Sequence, residues 1–270
     1  MKIFSKVYMA FIFLFLYAPI VVMIAFSFNS SKSRSVWTGF TTDWYAKLLQ
    51  DESIISALKT TLIVAVAASV IATIIGTLAA VGISAMKKKA RNAVMLATNI
   101  PMVNPEIVTG VSLMLLFVSF FGILAKIGIE LEFGMLTLIL AHISFNIPYV
   151  ILSVMPKLRQ MNKHSYEAAL DLGCNPFKAF FKVVIPEIMP GIMTGMLMAF
   201  TLSLDDFVIS YCTSGTDAQT LSVLIYSMTR KNVSPKINAL SALMFVTVFV
   251  LMLIVNLRQL KDETKAGAKR

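Results

Sequence analysis

Long runs of apolar residues, separated by short polar segments, dominate the pattern along this chain. A membrane-spanning helix needs about 20 mainly apolar residues, and the runs lack the short-range alternation that is typical of membrane β-barrel strands. The pattern therefore predicts an all-α integral membrane protein with six transmembrane helices in a single domain, residues 1–270. The predicted spans are residues 8–28, 57–86, 93–121, 134–155, 188–212 and 239–257.

The composition supports a membrane protein and excludes several other classes. Hydrophobic residues make up 57% of the 270 positions and charged residues only 14%, against about 25% charged residues in soluble domains. These values exclude a soluble globular enzyme, a disordered chain and a disulfide scaffold. The net charge of +10 suggests nucleic acid in a soluble protein, but basic loops also set the topology of membrane proteins. We expect the topological role and no nucleic-acid partner.

Lysine and arginine residues are distributed unevenly between the two sides of the predicted spans. One side carries 16 of them: Lys2, Lys6, Lys87, Lys88, Lys89, Arg91, Lys157, Arg159, Lys163, Lys178, Lys182, Arg258, Lys261, Lys265, Lys269 and Arg270. The other side carries 8: Lys32, Arg34, Lys47, Lys59, Lys126, Arg230, Lys231 and Lys236. Because cytoplasmic loops carry the excess of basic residues, we expect both termini to be cytoplasmic. The loop at residues 157–187, called the inter-span loop below, is expected on the same side.

The sequence contains no pattern that predicts a catalytic centre. We find no nucleotide-binding P-loop, no dinucleotide-binding glycine pattern, no zinc-ligand spacing and no nucleophile elbow. We therefore expect no enzymatic activity, no metal site and no cofactor in this chain. Any energy that the protein uses is expected to come from another subunit.

The inter-span loop is predicted to form two short helices with a tight bend. Ser165 is placed to cap the first helix, and Gly173 suits the left-handed conformation that ends it. Asn175 is placed to cap the second helix, with Pro176 at its first position. Pro186 is predicted to stop this helix before the chain enters the membrane again.

The second helix of the loop has an apolar face formed by Phe177, Phe180, Phe181 and Val184 at helical spacing. An aromatic face in a cytoplasmic loop either binds a partner or packs under the protein's own helices. The residues alone leave both alternatives open.

The spacing of the loop motif resembles the signature of bacterial ABC-importer permeases. The sequence reads Glu167-Ala168-Ala169, three residues, Gly173, nine residues, then Val183-Val184-Ile185-Pro186. The family more often has Ile and Leu at the positions of Val183 and Ile185. In that family the segment is a coupling helix that docks on a cytoplasmic ATPase. The resemblance implies this role for Glu167, Ala168, Ala169, Gly173, Phe177, Phe180, Phe181 and Pro186.

Further segments are similar to permeases of the spermidine/putrescine (polyamine) importers. They are residues 26–31, 39–45, 200–208, 225–228 and 233–240. This similarity implies a multi-pass protein of a bacterial cytoplasmic membrane that moves polyamines by alternating access. It also implies an ATPase dimer that binds ATP and magnesium, a second permease subunit and an extracytoplasmic substrate-binding protein.

Three carboxylates lie inside the predicted spans: Glu106 in the third, and Asp205 and Asp206 in the fifth. A carboxylate within a membrane is costly and usually lines an aqueous path or pairs with another group. Because the cores of the spans contain no basic residue, a cationic substrate supplies the missing charge. Asp205 and Asp206 point about 100° apart on a helix, so we expect at least one of them to face the path. Alternatively, both form structural hydrogen bonds to helix ends or to the partner permease.

Other functions remain open from the residues alone. The same architecture also fits import of iron, thiamine, sulfate or phosphate, although the acidic set disfavours an anionic cargo. A channel or a membrane scaffold without a transport cycle is a second alternative, against which the coupling signature argues. His142 and Asn146, in the fourth span, are expected to be polar core residues with satisfied hydrogen bonds.

Overall fold

A computed structural model describes residues 2–31, 36–231 and 235–267 of the chain. The described residues form helices joined by short connections, and an isolated antiparallel bridge pairs Asn29 with Phe40. The helices are α1 (Lys2–Phe26), α2 (Asp43–Leu49), α3 (Glu52–Ala85), α4 (Lys88–Val103), α5 (Glu106–Ala125), α6 (Met135–Gln160), α7 (Lys163–Asp171), α8 (Pro176–Ala179), a π-helical turn (Phe180–Val184), α9 (Ile185–Asp205), α10 (Val208–Thr213), α11 (Leu221–Lys231) and α12 (Pro235–Gly267).

Five of the described helical segments are long and apolar enough to cross a membrane. They are residues 4–26, 52–85, 106–125, 135–160 and 176–205. The sixth predicted span, residues 239–257, lies within α12, whose described apolar part, Pro235–Val250, is shorter than a full span. The structure therefore confirms an all-α membrane protein, and the count of six spans is approximate.

Two predicted spans have different limits in the structure. The third span does not begin at residue 93, because Asn104 is extended (ψ 138°) and divides the segment into α4 and α5. Extended backbone is favoured immediately before a proline, here Pro105. The fifth span does not continue to residue 212, because α9 ends at Asp205 and Asp206 is extended (ψ 128°). The chain then forms the separate short helix α10.

The described chain divides into two compact units. The terminal unit contains the residues up to Ser56 and those from Leu224 onward, and the central unit is Ala57–Val223. The inter-span loop and the three carboxylates predicted within the spans all lie in the central unit. The assignment of the whole chain to one domain stays a prediction.

In the terminal unit, Asn29 organises the connection that follows α1. Its side-chain amide donates to the carbonyl of Val36 (2.8 Å) and accepts from the backbone N–H of Thr38 (3.1 Å). The Trp44 indole N–H of α2 donates to the Asn29 carbonyl (2.8 Å). The Asn29 side chain therefore holds the connection at residues 36–38, and its backbone carbonyl fixes the position of α2.

An ion pair in the same unit joins α12 to the connection between α2 and α3. The Lys236 ammonium donates to the Asp51 carboxylate, and the Ser53 hydroxyl donates to the same side chain. The bond from Lys236, followed by that from Ser53, lowers the pKa of Asp51 from its usual 3.8 to about 2. The carboxylate thus remains ionised at every pH the protein is expected to meet.

The core of the central unit is the contact between α6 and α9, in which glycines allow the two backbones to approach closely. A Cβ atom placed on Gly191 would lie 2.9 Å from the Ser153 carbonyl oxygen, and one on Gly195 would lie 3.2 Å from the Val150 Cα. Gly191 and Gly195 are four residues apart, which is the small-residue spacing typical of packed membrane helices. Gly76 of α3 also lies against Val150, since a Cβ atom placed on Gly76 would be 2.7 Å from the Val150 Cβ.

The N-terminal half of α6 contacts α9 and α10 through hydrogen bonds instead of close glycine contacts. Asn146 donates to the Ser203 hydroxyl of α9 (2.7 Å), and His142 Nε2 lies 3.2 Å from the Ser210 Oγ of α10. Thr137 donates to the carbonyl oxygen of Thr213 (2.8 Å). The α6 helix therefore packs along α9 and α10 in an antiparallel direction, with close backbone packing at one end and polar contacts at the other.

The close packing of α6 and α9 yields a stability prediction. We expect Gly191→Ala to lower the thermal stability of the detergent-solubilised protein, because the new methyl group meets backbone atoms that cannot move independently. Overpacking of this kind costs about 1–3 kcal/mol. The matched control is Gly122→Ala in α5, where no atom lies within 4 Å of the added Cβ. Equal melting temperatures for the two variants would contradict the packing argument.

Candidate functional site

The break between α9 and α10 separates two neighbouring carboxylates. Asp205 is the last residue of α9, and its side chain is exposed on this chain. Asp206, in extended conformation, is buried with 9% of its surface exposed. The sequence predicted that the two side chains point apart, and the structure places them in these two different environments.

Asp206 stabilises the start of α10. Its carboxylate oxygens accept the backbone N–H groups of Ile209 (3.3 Å) and Ser210 (2.7 Å). A carboxylate that accepts the first N–H groups of a helix satisfies groups that otherwise lack partners. For Asp206, the alternative of a structural hydrogen bond to a helix end is therefore what the structure shows.

Asp205 lies in an environment that favours a positive charge. The last turn of a helix carries carbonyl groups without intrahelical partners and the negative end of the helix dipole. The Asp205 carboxylate adds a formal negative charge at this end of α9. Helices α5, α9 and α10 contain no lysine or arginine. The broken end of α9 is therefore suited to bind a cation, as the ends of discontinuous membrane helices do in other transporters.

Glu106 was predicted to lie inside the third span, but the structure places it in the first turn of α5. The reason is the break at Pro105, which starts a new helix at this point. Glu106 is exposed on this chain, and Gly110 follows it one turn later on the same face of the helix. A Cβ atom on Gly110 would lie 3.3 Å from the Val208 carbonyl oxygen of α10. Glu106 therefore lies on the face of α5 that packs against α10.

Four polar residues lie around the break between α9 and α10: His142, Asn146, Ser203 and Ser210. Only two of them were singled out from the sequence. His142 and Asn146 are fully buried, as expected, and each contacts a serine. Their hydrogen bonds are not fully satisfied, contrary to the expectation, because His142 Nδ1 and Asn146 Oδ1 have no partner among the described residues. The two partners, Ser203 and Ser210, were not singled out from the sequence. Their position in the sequence could have identified them, because each is a serine within about one helical turn of Asp205 or Asp206.

In the inter-span loop, one predicted helix cap is wrong and the other is confirmed. The side chain of Asn162, not Ser165, caps α7 by accepting the backbone N–H of His164. Since α7 begins at Lys163, Ser165 already lies inside the helix. Asn175 caps α8 by accepting the backbone N–H of Phe177, as predicted.

Gly173 ends α7 in the predicted left-handed conformation, with φ at +82°. The backbone N–H of Cys174 returns to the carbonyl of Ala169 (3.0 Å), and that of Gly173 to the carbonyl of Leu170 (2.9 Å). These paired bonds are typical of glycine helix ends. No atom lies within 4 Å of a virtual Cβ on Gly173, so the backbone conformation alone selects glycine at this position.

Pro186 does not stop the second loop helix, contrary to the sequence prediction. The helix continues through the π-helical turn at Phe180–Val184 into α9, and Pro186 lies in the first turn of α9. A proline offers no N–H to the carbonyl four residues earlier and its ring crowds that carbonyl. The wider π-helical turn immediately before Pro186 accommodates both effects.

The aromatic face of the loop is divided between two environments. Phe180 packs against the core of the central unit, and Val184 is buried in it. Phe177 and Phe181 are 71% and 52% exposed, and their ring centroids lie 4.8 Å apart. Leu172, at the bend, is also exposed. Part of the face therefore packs under the protein's own helices, and binding of a partner by the exposed part stays a prediction.

The residues of the Glu-Ala-Ala motif lie on α7 next to this face. Glu167 and Ala168 are exposed, and the Glu167 carboxylate lies 3.2 Å from His164 Nδ1. The backbone N–H of Asn162 donates to the Glu187 carboxylate at the start of α9 (3.3 Å). The loop is thus fixed to the spanning helix at its first residues and presents its acidic motif outward.

Comparisons with known proteins agree with a membrane transport component. The family model described as "binding-protein-dependent transport system inner membrane component" matches residues 72–259. The chain is 42% identical over 226 residues to the putrescine transport system permease protein PotI of Escherichia coli (strain K12), covering 83% of this chain and 79% of PotI. It is 36% identical over 260 residues to the spermidine/putrescine transport system permease protein PotC of the same strain, covering 96% of this chain and 95% of PotC.

Solved structures share the fold at lower sequence identity. One is a bacterial ABC transporter involved in the import of the acidic polysaccharide alginate, with a TM-score of 0.71, 20% identity and coverage of 96% of this chain and 95% of the other. Another is a bacterial alginate ABC transporter in complex with an alginate pentasaccharide-bound periplasmic protein, with a TM-score of 0.70, 19% identity and coverage of 96% and 92%.

The conformation of Gly173 gives a direct test of the loop structure. A β-branched residue in the left-handed region costs about 1–2 kcal/mol, so we expect Gly173→Val to loosen the bend. Trypsin cleavage after Lys178 and Lys182 in inside-out membrane vesicles should become about tenfold faster, in proportion to the open population. Gly173→Asn is the matched control, because asparagine tolerates this conformation. Cleavage of the valine variant at the rate of the asparagine variant would contradict a backbone requirement for glycine.

Proposed function

This chain belongs to the family of binding-protein-dependent transport system inner membrane components, and we propose that it is the permease subunit of an ATP-driven polyamine importer. The names of its relatives support this cargo: PotI is a putrescine permease and PotC a spermidine/putrescine permease. The PotC alignment extends over nearly the whole chain. In this proposal the chain forms half of a transmembrane path and catalyses no covalent reaction.

The observation that carries the cargo assignment is the acidic end of α9. Asp205 is exposed there, Glu106 lies on the α5 face that packs against α10, and α5, α9 and α10 contain no basic residue. An ammonium group that enters this region forms a charge-assisted hydrogen bond to Asp205, worth about 1.5–3 kcal/mol net. An anionic cargo, such as sulfate or phosphate, would instead be repelled.

The distribution of basic residues supports the orientation of the protein. With 16 lysines and arginines on one side of the predicted spans and 8 on the other, both termini and the inter-span loop are cytoplasmic in this proposal. The membrane is the cytoplasmic membrane of a bacterium. The loop then faces the compartment that contains ATP.

Three partners complete the proposed importer. A cytoplasmic ATPase dimer binds ATP and magnesium and supplies the free energy, so this chain needs no cofactor of its own. A second permease subunit forms the other half of the path. An extracytoplasmic binding protein delivers the polyamine, in the way that a periplasmic protein accompanies one of the structurally similar transporters.

The chain contributes to alternating access through two surfaces. The exposed aromatic pair Phe177 and Phe181, with the Glu-Ala-Ala motif beside it, docks on the ATPase. Asp205, at the other end of the same helical segment, Pro176–Asp205, binds the cargo. Movement of the ATPase subunits changes which side of the membrane can reach this acidic end.

The divided aromatic face makes the docking role testable. We expect Phe177→Ala combined with Phe181→Ala to weaken co-purification of the ATPase by at least about tenfold, because buried aromatic side chains dominate such interfaces. Phe180→Ala is the matched control. Its side chain packs on the protein's own core, so this variant should lose thermal stability and keep the ATPase when it is folded. ATPase co-purification at wild-type stoichiometry by the double variant would contradict the docking proposal.

The cargo proposal is tested by uptake of labelled putrescine and spermidine. We expect Asp205→Asn to slow uptake at low substrate by about one to two orders of magnitude, the kinetic equivalent of the lost charge-assisted bond. Glu106→Gln is expected to act in the same direction. Asp217→Asn is the control, since Asp217 is an exposed aspartate outside the helices. Wild-type uptake by normally expressed Asp205→Asn and Glu106→Gln proteins would show that the acidic path is wrong.

A further inference from the structure

Two α6 residues contact the chain on both sides of the α9–α10 break. His142 and Asn146 are one helical turn apart and both are completely buried. Asn146 Nδ2 donates to Ser203 Oγ (2.7 Å), in the last turn of α9. His142 Nε2 lies 3.2 Å from Ser210 Oγ, in the first turn of α10. The break therefore lies between two fixed points on a single helix.

The hydrogen bonds around Asp206 determine the direction of the contact with His142. Its carboxylate oxygens accept the backbone N–H groups of Ile209 and Ser210. His142 Nε2 faces the hydroxyl oxygen of Ser210 and a carboxylate oxygen of Asp206, two acceptors that a proton on Nε2 satisfies. The imidazole consequently carries its proton on Nε2, which also lies 3.7 Å from Asp206 Oδ2. His142 is in this way linked to the group that caps α10.

The same two side chains each contain one atom without a hydrogen bond among the described residues. These atoms are His142 Nδ1 and Asn146 Oδ1, both in completely buried side chains. A buried polar atom without a partner costs about 1–3 kcal/mol, and an apolar side chain of similar size avoids this cost. This cost offsets the gain from the one hydrogen bond that each side chain makes, so the pair adds little net stability.

We propose that His142 and Asn146 are positioning residues that hold the α9–α10 break and thereby keep the Asp205 carboxylate outside the fold. The function of this arrangement rests on the proposed role of Asp205 in binding the polyamine. Without the two contacts, α9 is free to extend by a further turn through Asp206, as the apolar sequence from residue 188 to 212 favours. Asp205 then becomes an internal residue of a helix, where the carbonyls of the α9 terminus no longer accompany it.

The position of Asp205 can be measured without any transport assay. In a Cys174→Ser, Cys212→Ser background, Asp205→Cys is labelled with a maleimide in the assembled transporter. We expect His142→Leu or Asn146→Leu to change the labelling rate at least threefold, while the melting temperature stays within a few degrees of the parent. Ser144→Ala, on the exposed face of α6, is the matched control. Unchanged labelling in both leucine variants would overturn the proposal.

The functional consequence is tested by a double-mutant cycle on polyamine uptake. We expect His142→Leu to slow uptake at low substrate roughly three- to thirtyfold, which lies within the range of couplings between residues in contact. His142→Gln should restore most of the rate, because its amide N–H can replace the Nε2 donor. In an Asp205→Asn background, His142→Leu should cause no further loss. Fully additive losses would overturn the positioning role.

The two experiments separate failure of this inference from failure of the proposed function. If Asp205→Asn transports polyamines normally, the acidic path is wrong, and the labelling rates still decide whether α6 holds the break. If Asp205→Asn is impaired and labelling does not respond to His142→Leu or Asn146→Leu, the path is supported and the positioning role is overturned.

Discussion

The close approach of α6 and α9 is the constraint on which the central unit depends. Within a membrane the lipid is as apolar as the side chains, so helices associate through close packing and hydrogen bonds instead of the exclusion of water. Gly191 and Gly195 bring the two backbones together, and Val150 fills the space between Gly195 and Gly76 of α3. Once this end is fixed, the polar contacts of Asn146 and the residues beyond it are set in register along the same pair of helices.

Local backbone requirements in the inter-span loop were predicted correctly at two positions and wrongly at a third, since Asn162 and not Ser165 caps α7. Gly173 is required by a left-handed φ. Asn175 is required by the backbone N–H of Phe177, which otherwise has no partner at the start of α8. Both requirements arise within a few residues of the sequence. The inter-residue spacing of the loop motif also identified the permease fold, which the structural neighbours confirm. The break at Asp206 was missed, because hydropathy continues across it. Pro186 was misjudged since the π-helical turn before it depends on the packing of its neighbours.

Proteins that share this fold carry chemically different solutes. The fold neighbours import an acidic polysaccharide, whereas the relatives at 42% and 36% identity are named for polyamines. A shared backbone therefore does not determine the sign of the charge that is carried. In the present chain that sign is expected to follow from a few side chains at helix ends, Asp205 and Glu106 above all. Such groups are few in number and leave the packing of the helices unchanged, which allows one scaffold to serve opposite cargoes.

The continuous helical segment from Pro176 to Asp205 has a mechanical consequence. It contains 30 residues and is therefore about 45 Å long, with the exposed Phe177 near one end and Asp205 at the other. A rigid tilt of about 10° around a point near the middle of this segment displaces each end by about 4 Å, in opposite directions, when the geometry of the helix is preserved. The glycine contacts at Gly191 and Gly195 lie between the two ends and serve as the fulcrum.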